Sequence, residues 1–138
     1  MIIPGRLRAL VVDDNSYARA ISAMSLRKLG LGEIVEAEGG AEAILQLLGA
    51  PFDLVLMDWY MPDVNGAGVM QVLRDPRMGA PMAVPVILMT AYASRDNLAR
   101  ARDLGVNEIL SKPFTTEQLG SALAKVLAPQ APDQAVFL

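Results

Sequence analysis

Leu54-Val55-Leu56-Met57-Asp58 carries the decision about the fold: four apolar residues in succession, then a carboxylate. An apolar run of that length offers no polar face to water, so it reads as a strand covered on both sides, as a parallel sheet requires. Moving outward, similar runs occur at Leu7–Val12, Ile34–Ala37 and Val84–Met89, and more weakly at Val106–Leu110. Helical segments separate them. Ala18, Ile21, Ser25 and Leu29 mark one face of a first helix, closed by Gly30. Ala41–Leu48 makes a second, Val69–Leu73 lies in a third, and Asn97–Leu104 is a fourth that ends at Gly105. Thr115 or Thr116 caps a fifth, with Leu119, Leu123, Val126 and Leu127 facing inward. Strand and helix alternating in this way predict an α/β fold, a doubly wound five-stranded parallel sheet joined by right-handed crossovers. The segment Asp75–Pro85, with three prolines and a glycine, is expected to be a long loop. Residues 1–128 are expected to form the domain, and 129–138 a flexible tail or linker stub.

Composition narrows the chemistry. The chain has 138 residues, 53% of them hydrophobic and 20% charged, as expected of a folded domain able to bury a core. It contains neither cysteine nor histidine. Disulfides, thiolate metal sites, imidazole bases and the triads built on them are therefore excluded. A net charge of −3 argues against a nucleic-acid surface. The apolar runs fall far short of the ~20 residues that span a bilayer. Residues 1–6 do not hold a signal-peptide core, so a cytoplasmic location is expected. The eight methionines suggest adaptable packing.

In a sheet of this kind the functional crevice lies outside the carboxyl ends of the strands, at the point where the strand order reverses. Polar residues stand at those ends: Asp13-Asp14 after the first run, Asp58 after the third, Thr90 after the fourth and Lys112 beyond the fifth. Three carboxylates held close repel one another unless protons or cations intervene. With only oxygen ligands available the site selects a hard cation, and Mg²⁺ suits it because it needs few carboxylates and keeps its waters. A carboxylate beside such an ion is able to attack phosphorus and form an aspartyl phosphate. Lys112 and the Thr90 hydroxyl would then neutralise charge on the phosphoryl oxygens.

At these residues the sequence resembles the receiver domains of two-component response regulators, the CheY-like single-domain members in particular. The resemblance covers roughly residues 7–127. It is carried by Asp13-Asp14, by Met57-Asp58-Trp59-Tyr60-Met61-Pro62 with Gly66 shortly after, by Thr90-Ala91 and by Lys112-Pro113-Phe114. It implies a flavodoxin-like (βα)5 fold with strand order 2-1-3-4-5 and a signalling switch rather than an enzyme with a separate substrate. Asp58 is the implied phosphoacceptor. The resemblance further implies that Asp14 and Asp58 bind Mg²⁺ directly, with Asp13 acting mainly through water and the Tyr60 backbone carbonyl as a further ligand. By the same resemblance Lys112 is expected to pair with the acceptor carboxylate and later with the phosphoryl group, and Thr90 to hydrogen-bond a phosphoryl oxygen and move on activation. The Lys112–Pro113 bond is expected to be cis. The implied phosphodonor is a sensor histidine kinase or a histidine phosphotransfer protein. The implied output surface is the fourth helix, fifth strand and fifth helix, roughly Ser94–Leu127, read by a downstream protein and by neither nucleic acid nor membrane.

The chain departs from the family pattern in a few places. Ile109 occupies the position where the family usually carries an aromatic switch, and an aliphatic side chain has no ring to swing. Tyr60 and Tyr92, two residues after Asp58 and Thr90, are placed to crowd the path of an attacking water and lengthen the life of an aspartyl phosphate. Trp59 is expected to be exposed or half-exposed beside the site. Gly66-Ala67-Gly68 is no dinucleotide fingerprint: it lacks a third glycine at Gln71 and a strand directly before it. A phosphatase using a strand-end Asp nucleophile would want a second acid where Tyr60 stands. The remaining alternative is a phosphate-independent docking module of the same fold.

Overall fold

A computed structural model describes residues 3–127. The tail expected over 129–138, and the last residue of the expected domain, lie outside the described residues. Five parallel strands, β1 (Arg8–Val12), β2 (Glu33–Ala37), β3 (Leu54–Asp58), β4 (Val86–Thr90) and β5 (Glu108–Ser111), form one sheet in the order β2-β1-β3-β4-β5. Helices α1 (Ser16–Lys28), α2 (Gly40–Gly49), α3 (Gly66–Leu73), α4 (Arg95–Asp103) and α5 (Thr116–Leu127) connect and follow them. The expected fold class and strand order are both present.

Why the strand runs are continuously apolar is visible in the packing. Alternate residues of each strand point to opposite faces. Leu10, Val12, Val55, Met57, Val86 and Leu88 face α2, α3 and α4, through Leu47, Met70 and Ala101 among others. Ala9, Val11, Leu54, Leu56, Ile87 and Met89 face α1 and α5, through Leu26, Leu119 and Leu123. Apart from Arg8 and Asp58 at their ends, β1, β3 and β4 are buried on both faces, so the pattern carries no polar alternation.

Several boundaries shift for identifiable reasons. β4 begins at Val86 rather than Val84, after Pro85, which has no amide hydrogen to donate. The expected loop over 75–85 contains two short 3-10 turns, Pro76–Met78 and Ala80–Ala83. β5 begins at Glu108 because Val106 belongs to the end of α4: its N–H donates to the Ala101 carbonyl while Gly105 takes a φ of +96°. That is a Schellman closure, and Gly30 ends α1 in the same way, with Leu31 N–H on the Leu26 carbonyl. The apolar character of Val106 thus serves a helix end, not a strand.

The face of α1 is a correction. Ser22, Ala23 and Leu26 are its buried residues, whereas Ile21 is exposed and Ala18, Ser25 and Leu29 are half-buried. Small side chains at 22 and 23 let the helix approach the sheet, and the Ser22 hydroxyl reaches the Met89 sulfur at 3.4 Å. The fifth helix follows expectation, with Leu119, Leu123 and Leu127 buried and Val126 packed beside them. Its cap is Thr115: the hydroxyl accepts from Gln118 N–H at 3.0 Å while the Gln118 side-chain Oε1 accepts from Thr115 N–H at 2.8 Å.

Candidate functional site

The order reverses between β1 and β3, and the carboxyl ends of these strands carry the acidic residues. Asp13 follows β1 directly, Asp14 is next, and Asp58 closes β3. One carboxylate oxygen from each of Asp13, Asp14 and Asp58 lies within 4.8 Å of the others. Asp13 is buried, at 1% exposure. One of its oxygens accepts from the Asn15 N–H at 3.0 Å and the other from Lys112 Nζ at 2.9 Å. Lys112 Nζ also stands 3.4 Å from Asp58 Oδ1. The Lys112 main chain is fixed by its N–H on the Thr90 carbonyl at 2.8 Å, and the Lys112–Pro113 bond is cis. Thr90 is buried, and its Oγ1 accepts from the Tyr92 N–H at 3.0 Å, so its own hydroxyl hydrogen is left to donate elsewhere.

Burial holds the Asp58 carboxyl above its ordinary range, and the charge of Asp13 adds to this against the opposing pull of Lys112. For Lys112, burial is the largest single influence and works downward. The hydrogen bond to Asp13 and the charges of Asp58 and Asp13 outweigh it together, and the ammonium sits above its ordinary value. Three carboxylates facing one ammonium leave an excess of negative charge. An oxygen-only donor set of this kind fits a hard divalent cation such as Mg²⁺.

Asp13, Asp14, Asp58 and Lys112 are therefore brought together, with Lys112 nearer Asp13 than Asp58, and Thr90 ends the strand next to β3. Trp59 is a correction: it is only 7% exposed. A Cβ added to Gly66 would come within 2.6 Å of the Trp59 ring, so the absence of a side chain at 66 is what admits the indole. Tyr60 and Tyr92 do stand out of the core, at 45% and 67% exposure, with their rings edge to face at 5.4 Å between centroids. Ile109 is half-buried on β5 against the core.

Several residues around the site escaped the sequence reading. Asn15 caps α1 by accepting from Ala18 N–H at 2.9 Å, a role its place before a helix could have signalled. Arg19 ties the acidic loop down, donating to the Asp13 carbonyl at 2.8 Å and to Glu36 at 3.1 Å. Asp63 accepts from the N–H groups of Gly40 and Ala41 at the start of α2, which holds its carboxyl below the ordinary range, chiefly through the Ala41 bond. Asn97 donates to the Tyr60 hydroxyl at 2.7 Å. These last three pairings join distant segments and have no local signal.

A doubly wound sheet with an acidic trio, a hydroxyl and an ammonium at its switch point defines a receiver domain. The chain belongs to the response regulator receiver family: the model of the response regulator receiver domain matches residues 9–124. It is 36% identical over 121 residues to the chemotaxis protein CheY of Pseudomonas aeruginosa, covering 87% of this chain and 95% of that protein. With CheY-3 of Vibrio cholerae it shares 35% identity over 126 residues, covering 91% of this chain and 95% of that one. Among solved structures, Vibrio cholerae CheY4 superposes with a TM-score of 0.80 at 27% identity, over 88% of this chain and 98% of the other. The receiver domain of a Pseudomonas aeruginosa sensor histidine kinase, which carries a magnesium ion coordinated in its active-site cleft, gives 0.80 at 25% identity over 88% and 98%.

Proposed function

We propose that the chain is a phosphoacceptor switch in which Asp58 takes a phosphoryl group from a phosphohistidine on a sensor histidine kinase or a histidine phosphotransfer protein. The observation that carries this reading is the convergence of Asp13, Asp14 and Asp58 within 4.8 Å, with Lys112 reaching into the cluster. An Asp58 oxygen forms the new O–P bond as the donor's N–P bond breaks, the electron pair leaving on the imidazole nitrogen. Lys112 follows the charge from carboxylate to phosphoryl oxygen, and the Thr90 hydroxyl donates to a second oxygen. Asp14 and Asp58 would hold Mg²⁺, with Asp13 through water and the Tyr60 backbone carbonyl as a further ligand. When bound, the ion supplies neutralisation of the phosphoryl oxygens.

Phosphorylation then changes the affinity of a downstream protein for the surface formed by α4, β5 and α5. Among the described residues no helix is long and apolar enough to cross a membrane. The reading places the protein in the cytoplasm, without nucleic-acid or membrane contacts of its own. The touching rings of Tyr60 and Tyr92 support a long-lived phosphoryl group by obstructing the water that would hydrolyse it. Autodephosphorylation is expected to accelerate in Tyr60→Asn and Tyr92→Glu; unchanged rates in both would sink that part.

The test of the main reading is intact mass after acetyl phosphate, with and without Mg²⁺, beside Asp58→Asn. A Mg²⁺-dependent gain of about 80 Da, absent from the variant, is the covalent adduct expected of a carboxylate nucleophile. Silence here and with beryllofluoride would favour the phosphate-independent docking module instead.

A further inference from the structure

Helix α4 is the most weakly packed of the helices around the sheet. Of Arg95–Asp103 only Ala101 is buried, and the rest of the segment is dominated by arginine, aspartate and asparagine. Its position therefore depends on polar ties at its ends more than on apolar burial. Weakly held elements are the ones that a small free energy is able to move.

At its first turn α4 has such a tie, and the tie leads to the phosphoryl site. The Asn97 amide nitrogen donates to the Tyr60 hydroxyl at 2.7 Å and to the Tyr92 carbonyl at 3.3 Å. Both donor hydrogens of one side chain are used. Tyr60 is a firm post, because its neighbours Trp59 and Met61 are both buried and pin the main chain on either side of it. Tyr92 is the movable end: its N–H rests on Thr90 Oγ1 at 3.0 Å and its ring leans on Tyr60. An unbroken path thus runs from the Thr90 hydroxyl through Tyr92 to Asn97 and α4. Ile109, at the family's usual ring position, is aliphatic and half-buried against the core.

We propose that Asn97 is the positioning residue that couples the phosphoryl site to α4, reporting a shift of Thr90 through Tyr92 against the fixed Tyr60. The inference rests on the phosphoacceptor reading and adds to it the route by which the state of Asp58 reaches the output surface. When Thr90 turns toward a phosphoryl oxygen, the Tyr92 N–H loses its acceptor, the Tyr92 carbonyl shifts, and one of Asn97's two bonds breaks. The first turn of α4 is then released or re-seated.

The experiment is hydrogen–deuterium exchange over residues 94–104 of the full chain with Mg²⁺, with and without beryllofluoride, in wild type, Asn97→Ala, Asn97→Asp and Tyr60→Phe. Acetyl phosphate adduct mass is measured on the same samples. Alanine is the better helix former, so on local propensity alone Asn97→Ala should slow exchange in α4. Loss of the tie instead predicts about fivefold faster exchange without the mimic, the scale of one hydrogen bond. It also predicts that beryllofluoride, which alters exchange in wild type, leaves the variant nearly unchanged. Asn97→Asp, which keeps the shape but loses both donors, and Tyr60→Phe, which keeps the ring but loses the acceptor, should behave alike in direction. A wild type that forms the adduct while α4 ignores the mimic overturns the coupling and leaves the phosphoacceptor reading standing. So does an Asn97→Ala protein whose α4 responds as wild type or exchanges more slowly. A wild type that takes neither phosphoryl group nor mimic overturns both.

Discussion

At the scale of single residues the site stores electrostatic strain in Asp58. Its carboxylate stands at the end of a buried strand beside Asp13, and burial, aided by Asp13, raises its pKa above 3.8 despite Lys112. An acid whose pKa is raised on folding binds its proton more tightly in the folded state. Stability is then lost as pH rises from the ordinary value through the folded one, and at neutral pH the charge is a standing cost. Without metal, Asp58→Asn should therefore raise the urea midpoint at pH 7, and the gain should vanish below about pH 3.8. A lower midpoint in the variant at pH 7 would mean that the pairing with Lys112 outweighs burial. Added Mg²⁺ should stabilise the wild type more than the variant, because the ion binds only the folded cluster. Lys112 is shifted upward, so its contribution is in place at neutral pH and fades only above 10.5.

At the scale of elements, two contacts decide how helices meet the site. Gly66 opens α3 where the Trp59 ring lies, and its N–H donates to the Trp59 carbonyl at 2.8 Å. Gly66→Ala forces the indole or the helix to move. The expected cost is about 1–3 kcal/mol, the usual range for overpacking. A shifted tryptophan emission should accompany it in the folded state. Wild-type stability together with unchanged emission would show that the ring moves aside freely. In α5 the cap falls on Thr115, not Thr116, whose hydroxyl lies 3.4 Å from that of Ser25. Thr115→Ala should cost about 1 kcal/mol in chemical denaturation, and Thr116→Ala less. The reverse ranking would refute the assignment.

Across the whole molecule, one side chain at the end opposite the site gathers ties from several segments. Arg74, at the end of α3, donates to the carbonyls of Met82, Val84 and Gly105 and to the side-chain oxygen of Asn107. It joins the proline-rich connection to the turn between α4 and β5, and Asn107 passes the tie on to the Val86 N–H at 2.8 Å. Arg74→Met removes charge-assisted bonds to several half-buried carbonyls. It is expected to cost about 2–3 kcal/mol of global stability. Acetyl phosphate labelling of the folded fraction should be unaffected, since the contacts lie at the amino ends of the strands. A loss below 0.5 kcal/mol, roughly the level of an ordinary surface substitution, would show that solvent replaces the arginine.

These same contacts mark what was and was not legible in the chain by itself. Strands such as Leu54–Asp58 and Val86–Thr90 could be read directly, because burial on both faces leaves continuous apolar runs. Asp13, Asp14, Asp58, Thr90 and Lys112 could be placed along one edge of the sheet, because each stands where such a run leaves the core and all parallel strands leave it at the same edge. Helix ends at Gly30 and Gly105 were equally local. The tertiary structure decided the rest: which face α1 turns inward, that Trp59 is buried over Gly66, that Lys112 sits closer to Asp13 than to Asp58, and that Asn97 joins Tyr60 across 37 residues. Local periodicity is set by a residue's near neighbours, whereas these pairings depend on how packed elements are rotated and translated against one another. Such offsets emerge only when both faces of the sheet are filled at once.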